Sequence, residues 1–266
     1  MQDGGYFVST SPRIYDKHPP HARISDMRIA LFGDIHANLE ALEAVLADAS
    51  TQGVTDYVCM GDVVGYNPDP VACIAKIQEM GCPTIKGNHD EDASGTHSLD
   101  SMNPIAAAAM KWTREQLDDE HRLWLRQLRM VRQIASFTVV HSTLDQPAHW
   151  NYVTNRFDAM ANFSYQFTQV CFHGHTHVPR VFVKSDKVSE VPAESIIIEK
   201  NAKYFINVGS VGQPRDGDWR SCYAIYDTDH QLVVFRRVEY DIAKTQAKIL
   251  AAGLPQSLAE RIADGR

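Results

Sequence analysis

Asp34 and His36, Asp62, Asn88 and His89, His141, and His175 and His177 each stand at a glycine-marked or polar corner just after a short apolar run. Asp34-Ile35-His36 spaces two donors at i and i+2, the same side of an extended chain, and His175-Thr176-His177 repeats the device. Imidazole nitrogen suits zinc, iron, nickel and manganese, while carboxylate and amide oxygens add harder donors. The mixture points to a transition-metal centre rather than to a calcium site. His36, His141, His175 and His177, with Asp34, Asp62 and Asn88, are too many donors for one tetrahedral site, whereas two ions sharing a carboxylate would use them all. An ordinary polar turn would account for any one corner, since Gly and Asn are common turn residues. Five corners of one kind shift the balance to ligation.

The runs that deliver these corners are MRIALFGD (27–34), DYVCMGD (56–62), PTIKGN (83–88), FTVVH (137–141) and QVCFHGH (169–175), short enough and apolar enough to be buried strands. Between them, 38–50 carries Leu39, Leu42, Val45 and Leu46 on one helical face, and 70–81 has a similar stripe that ends at Gly81, a suitable C-cap. Strands alternating with helices predict a substantially parallel sheet, whose ligands gather beyond the carboxyl ends of the strands. Later segments (178–186, 194–210 and 221–240) are β-rich with turns at Asp186 and at Asp229-His230, which predicts a second sheet of antiparallel hairpins packed on the first. Helices are expected over 104–129, with Asn103 as N-cap and Pro104 at N1, over 155–166, over 242–251 and near Leu258. Asp118-Asp119-Glu120 is a favourable helix start for the dipole.

A chain of 266 residues with 44% hydrophobic and 22% charged residues has the composition of a globular protein with a sizeable core. Without an apolar run near ~18 residues, membrane insertion is not expected. A formal charge of −7 argues against a protein that tracks nucleic acid through a broad basic surface. Five scattered cysteines without CxxC spacing predict reduced, mostly buried thiols and a cytoplasmic setting. Residues 1–26 are expected to be a flexible tail, with His18 and His21 in it. Residues 27–266 are expected to form one domain with a helical insertion at about 91–135.

In their order, GDIH (33–36), GDVVG (61–65), GNHD (87–90), His141 and GHTH (174–177) resemble the calcineurin-like metallophosphoesterases, with similarity to the branch of small bacterial phosphodiesterases and diadenosine-tetraphosphatase-like proteins. The resemblance implies an α/β fold, a four-layer αββα sandwich of two mixed sheets flanked by helices. It implies that Asp34, His36 and His177 hold one metal, that Asn88, His141 and His175 hold another, and that Asp62 bridges them. It leaves His89 uncoordinated beside the substrate, so His89 and Asp62 are the expected catalytic residues and Asn88, His89 and Arg215 the expected substrate contacts. Two divalent transition metal ions are implied (Mn, Fe, Zn or Ni, with Mn favoured). Held roughly 4 Å apart, such ions clamp phosphoryl oxygens and bring the pKa of water near 7. The expected reaction is hydrolysis of phosphate mono- or diesters, diesters favoured, on a small phosphoester or nucleotide. His89 would donate a proton to the departing alkoxide or stabilise phosphoryl oxygens. The competing expectation is a non-catalytic metal-binding scaffold of the same fold. Phosphoprotein phosphatases of this family follow the bridging aspartate with Asp-Arg-Gly; here Gly65, Tyr66 and Asn67 stand in those places.

Other polar residues have plainer expected roles. His173 is read as strand packing, His97, His121 and His230 as solvated, Asp90 as the anchor of its turn, and Lys86 as a solvated edge residue. Asn207 and Ser210 are read as shaping the 207–220 turn, in which Arg215 meets either phosphate or one of Asp216 and Asp218. Trp150 is expected in core packing, with the alternative that 149–152 walls the substrate opening. Met102 and Met110 are expected to pack against the domain.

Overall fold

Strand β1 (Arg28–Phe32) shows how the layers arise, because its alternate side chains enter two different cores. In this computed structural model, which describes residues 27–100 and 102–266, Ile29 and Leu31 point into one apolar cluster and Ala30 and Phe32 into another. The period of two in a strand buried on both faces requires a layer on either side. The expected tail 1–26, with His18 and His21, lies outside the described residues.

On one side, the helices α1 (Leu39–Thr51) and α2 (Pro70–Met80) supply Leu42, Val45, Cys73, Ile74 and Ile77 to the cluster around Phe32. Asn38 caps α1 by accepting from the Ala41 amide, and α2 ends where Gly81 takes φ 60°, the C-cap expected of it. On the other side lies a second sheet. Phe137 and Val139 of β4 (Phe137–Val140), Val170 and Phe172 of β5 (Val170–His173) and Ile206 of β9 (Lys203–Asn207) pack against Ile29 and Leu31. The far face of that sheet, with Val140, Cys171 and Phe205, is covered by Ala159 and Phe163 of α6 (Arg156–Tyr165). Helices, sheet, sheet and helix form the four αββα layers.

Both sheets are mixed. The first joins β2 (Asp56–Cys59), β1, β10 (Ser221–Asp227), β11 (Leu232–Val238) and β8 (Ser195–Ile197) in that order, with only β1 and β2 parallel. The second runs β3 (Val131–Ile134), β4, β5, β9, β6 (Arg180–Lys184), β7 (Val188–Val191), with β4, β5 and β9 parallel. This corrects the expectation that the later β-rich segments form a second sheet by themselves. β10 is buried on both faces, with Tyr223 and Ile225 toward the helices and Ala224 and Tyr226 between the sheets, so it takes a central place beside β1.

Three local expectations are also corrected. Residues 83–88 make only isolated bridges, Cys59 with Thr84 and Ile85 with Arg129, because the chain turns at Gly87 straight into α3 (Asn88–Ser94). The stretch 104–129 is two helices, α4 (Pro104–Gln116) and α5 (Asp119–Gln127), broken where the Asp118 side chain caps the His121 amide. The helical part of 91–135 ends at Gln127, and β3 follows it. Asn103 and Pro104 begin α4 as expected, and Met110 is buried with Met102 packed beside it. The chain ends in α7 (Ile242–Ala251) and α8 (Gln256–Asp264), which pack together through Ile249, Leu254, Leu258 and Ile262. Among the described residues no helix is long and apolar enough to cross a membrane.

Candidate metal centre

The carboxyl ends of β1, β2, β4 and β5 meet where the two sheets face each other, and the loops leaving them are laced by backbone hydrogen bonds. The Asp34 amide donates to the Gly61 carbonyl at 3.0 Å, that of His36 to Asp62 at 2.9 Å, and that of Gly174 to His141 at 2.9 Å. The loops turn so tightly that Asp34, His36, Asp62, His175 and His177 all lie at left-handed φ, between 48° and 70°. Such backbone is costly for residues other than glycine and persists only where the surroundings over-determine it. Close approach is demanded as well: a Cβ at Gly87 would overlap Asp62 Oδ1, and one at Gly174 would overlap Asp34 Oδ2.

Two sets of donor atoms result, each within 4.8 Å of one another: Asp34, His36, Asp62 and His177, and then Asp62, His141 and His175. Asp62 belongs to both. His141 Nε2 lies 3.3 Å and His36 Nε2 3.5 Å from Asp62 Oδ2, and His177 Nε2 lies 3.3 Å from Asp34 Oδ1. Second partners orient each ring. Nδ1 of His36, His141 and His177 meets the carbonyls of Val64 (3.2 Å), Met60 (2.8 Å) and Gln213 (2.6 Å). A carbonyl only accepts, so Nδ1 carries the proton and the Nε2 lone pair faces the site. His175 is turned the other way, its Nε2 donating to the Trp150 carbonyl at 2.8 Å, which leaves Nδ1 as its lone-pair atom.

The donor chemistry fits a cation. His36 Nε2 and His177 Nε2 are 3.0 Å apart with both Nδ1 atoms already committed, an approach of two lone pairs that is unfavourable without a positive centre between them. Burial, together with neighbouring cations and imidazoles, lowers His36 and His177 well below the usual histidine range and His175 to about 3, so these rings are held neutral, the form that binds metal. His141 differs: burial opposes its charge, but Asp62 and Asp34 raise it to about 10, so without a cation its Nε2 holds a proton toward Asp62, and a metal would take that proton's place. Asp34 is pushed up to about 7 by burial and by the Asp62 charge. Asp62 is held below the usual carboxylate range, the imidazoles of His141, His89 and His36 outweighing its burial. The Asn88 Oδ1 is buried with no hydrogen-bond partner among the described residues.

The model of the calcineurin-like phosphoesterase superfamily domain matches residues 27–231. The chain belongs to this superfamily. A metallophosphoesterase from Sphaerobacter thermophilus is 42% identical, covering 91% of this chain and 100% of its own, with a TM-score of 0.80. An uncharacterized protein of Methanocaldococcus jannaschii is 37% identical over 243 residues, 90% of this chain and 98% of its own. A hypothetical protein from Pyrococcus horikoshii shares the fold at 18% identity and a TM-score of 0.73, over 90% of this chain and 99% of its own. Calcineurin-like phosphoesterases hydrolyse phosphoester bonds and generally bind two divalent metals.

Within this phosphoesterase, His89 is buried against the donor clusters, its ring edge-on to His36 at 4.7 Å between centroids and its Nδ1 without a partner among the described residues. Where the phosphatases of the family carry Asp-Arg, the backbone of Gly65 (φ 95°) lies against the His89 ring and Tyr66 packs on it at 4.4 Å. Packing, not a carboxylate, orients this histidine. Asp90 anchors its corner as expected, accepting from the amides of Asp62 (2.8 Å), Val63 (2.8 Å) and Gly87 (3.0 Å). Asn207 and Ser210 likewise shape their turns, Asn207 Nδ2 donating to the Gly174 carbonyl and Ser210 Oγ to that of Asp34. His173 is packed, stacked on Phe205 at 4.1 Å. His97 and His230 are exposed, whereas His121 is half-buried with Nδ1 2.7 Å from Asp118.

Arg215 avoids Asp216 and Asp218, which pair with Arg237 and Arg220, and instead reaches toward Gln213 Oε1 (2.9 Å) and the Tyr66 hydroxyl (3.5 Å). Lys86 is buried and pairs with Glu91 at 2.9 Å, because α3 folds back over it, so it is not a solvated edge residue. Trp150 is half-buried with its edge against His141, and Tyr152, 55% exposed, stacks on His175 at 4.4 Å. The 149–152 segment therefore walls the site, contrary to the core packing expected of Trp150. Sequence reasoning also missed Tyr66, Gln213 and the Trp150 carbonyl, because a backbone acceptor leaves no mark in residue type.

Proposed function

We propose that this phosphoesterase works with two metals, that Asp34, His36 and His177 hold one and Asn88, His141 and His175 the other, and that Asp62 is shared. The single observation that carries this reading is the pair of donor clusters meeting at Asp62 with ring lone pairs facing inward. Two divalent cations held there supply charge for phosphoryl oxygens and lower the pKa of water from 15.7 to about 7. The mixed nitrogen and oxygen donors suit manganese among the transition metals.

His89 stands beside this centre with a free Nδ1 and is the proton donor to the departing alkoxide. Burial lowers its pKa against the opposing pull of Asp62, and an anionic phosphoester bound beside it would raise it again and charge the ring for that step. Asn88 and Arg215 are the further substrate contacts of this reading. Phosphodiesters are the favoured substrates: the exposed Tyr152 face on His175 offers a second ester group an aromatic surface. Five unpaired thiols support a reducing, cytoplasmic setting.

The test is metal analysis of the purified protein together with turnover of bis-p-nitrophenyl phosphate and p-nitrophenyl phosphate in manganese. We expect two equivalents of metal and a higher kcat/KM for the diester. One equivalent or none, or no turnover with any divalent transition metal, would overturn the two-metal reading; a higher kcat/KM for the monoester would overturn the diester preference.

A further inference from the structure

Beside the metal ligands, two arginines approach one aromatic ring. The Tyr66 ring lies 4.8 Å from that of His36 and 4.4 Å from that of His89, and the guanidinium carbons of Arg215 and Arg261 lie 5.7 and 5.9 Å from its centroid. Arg215 comes from the loop after β9, and Arg261 from α8 at the end of the chain. Neither forms an ion pair among the described residues: Arg215 donates to Gln213 and Tyr66, and Arg261 Nε to the Arg266 carbonyl at 2.7 Å. Elsewhere the chain does pair its arginines, Arg220 with Asp218, Arg236 with Asp48 and Arg237 with Asp216.

The placement of Arg261 is built, not incidental. Leu258, Ala259 and Ile262 of α8 are buried, with Tyr66 packed against the same cluster. The Gly217 amide donates to the Gly265 carbonyl at 3.0 Å, which ties the end of α8 to the loop that carries Arg215. Gly265 takes φ 65°, and a Cβ there would come within 2.7 Å of the Asp218 nitrogen. Two like charges held near each other and half-buried repel, and burial and the Arg215 charge lower Arg261 below the ordinary arginine range. An anion relieves both costs, and a planar guanidinium grips phosphate with two donors at once.

We propose that Arg215 and Arg261 form a second anion subsite, and that the substrate is a small phosphoester carrying a further phosphate group that seats there. The proposal rests on the phosphoesterase reading above. Arg261 faces the imidazoles of His36 and His89 only across the Tyr66 ring, whereas Arg215 follows the backbone of His177 and borders both sides, so a group held by the two together is a neighbour of the scissile phosphate and not the scissile phosphate itself. Tyr66, in the place of the phosphatase arginine, separates Arg261 from the metal centre.

The experiment is calorimetric titration of the manganese-loaded full chain with methylphosphonate and with methylenediphosphonate, for wild type, Arg261→Gln, Arg261→Lys and Glu260→Gln. Wild type should prefer the diphosphonate, Arg261→Gln should cut that preference tenfold or more, and Arg261→Lys should keep part of it. Glu260, on the exposed face of the same helix, should leave it intact when replaced. Equal losses for both ligands in Arg261→Gln, or no loss, would overturn the subsite. Methylphosphonate affinity and bound manganese report separately on the metal centre. If these fail in wild type, diphosphonate binding and its loss in Arg261→Gln still read the arginines.

Discussion

Two groups of buried and half-buried carboxylates lie close together in the chain and are treated in opposite ways. Glu40, in the first turn of α1, and Asp69, the N-cap of α2, are met by lysines of α7: Lys248 at 2.8 and 2.6 Å, with Lys244 3.1 Å from Glu40. Asp34 and Asp62, more deeply buried, meet imidazoles and the backbone amides of His175 and His89, and among the described residues no lysine or arginine pairs with either. The fold is able to bring a lysine to a buried carboxylate and at the strand ends does not. Carboxylates that no lysine or arginine matches and left-handed backbone coincide there, which is the expected signature of a site whose counter-charge is a ligand.

The largest effect should come from Asp62, the residue common to both donor clusters. Asp62→Asn keeps the shape, and its Oδ1 still accepts from the His89 amide, but it removes the shared charge. We expect turnover to fall by at least about 10³ and bound metal to drop below two equivalents, since metal stabilisation of the transition state is worth several kcal/mol. Full activity with two metals would remove Asp62 from the centre. Next comes His89→Asn, for which turnover should fall by about 10² to 10⁴ with both metals retained, the scale of a lost general acid. Loss of metal in this variant would make His89 a ligand instead of a proton donor.

A stability measurement sharpens the contrast between the two groups. Burial and Asp62 raise the Asp34 carboxyl to about 7, above its unfolded value, so without metal its ionisation at pH 8 works against folding. Asp34→Asn should therefore stabilise the chelator-treated protein at pH 8 by about 1–3 kcal/mol, while lowering the melting temperature relative to wild type once manganese is present. The same sign with and without metal would mean that Asp34 is an ordinary structural carboxylate.

The corners were legible in the sequence because a polar donor stands at each one, although the extended chain that the i,i+2 spacing assumed gives way to left-handed backbone at Asp34, His36, His175 and His177. The strands that feed them were legible as apolar runs, and α1 and α2 as apolar stripes, α2 with its glycine C-cap. Sheet membership was not: alternation in β10 says that two faces are buried, not that β1 is its neighbour. The turn from Thr84–Ile85 into α3 was hidden because Gly87 reads equally as a hairpin corner or a helix N-cap. Trp150 and Arg261 were misjudged or missed for one reason, that their positions depend on where distant segments dock. The φ of 54° at Trp150 aims its carbonyl at His175, and Arg261 reaches Tyr66 only because α8 folds back onto the 217–218 loop.

The smallest predicted effect tests the matched group by its pH slope. Burial raises the Glu40 carboxyl, but hydrogen bonds from Lys248 and Lys244 outweigh it and hold the folded group below its ordinary value. A depressed carboxylate contributes stability that is present above the unfolded value, about 4.3, and is lost as pH falls through the lower folded one. Glu40→Gln should thus cost about 0.5–1 kcal/mol at pH 7 and flatten the decline of stability below about pH 4.3, read from denaturant melts across the acid range. Asp34, raised where Glu40 is lowered, must give the reverse: in metal-free protein its contribution is lost as pH rises toward and past 7, and Asp34→Asn flattens that limb instead. Slopes of the same sign for the two carboxylates would show that α7 lysines and strand-end imidazoles neutralise charge equally well, and the reason for assigning a cation to one group and not the other would be gone.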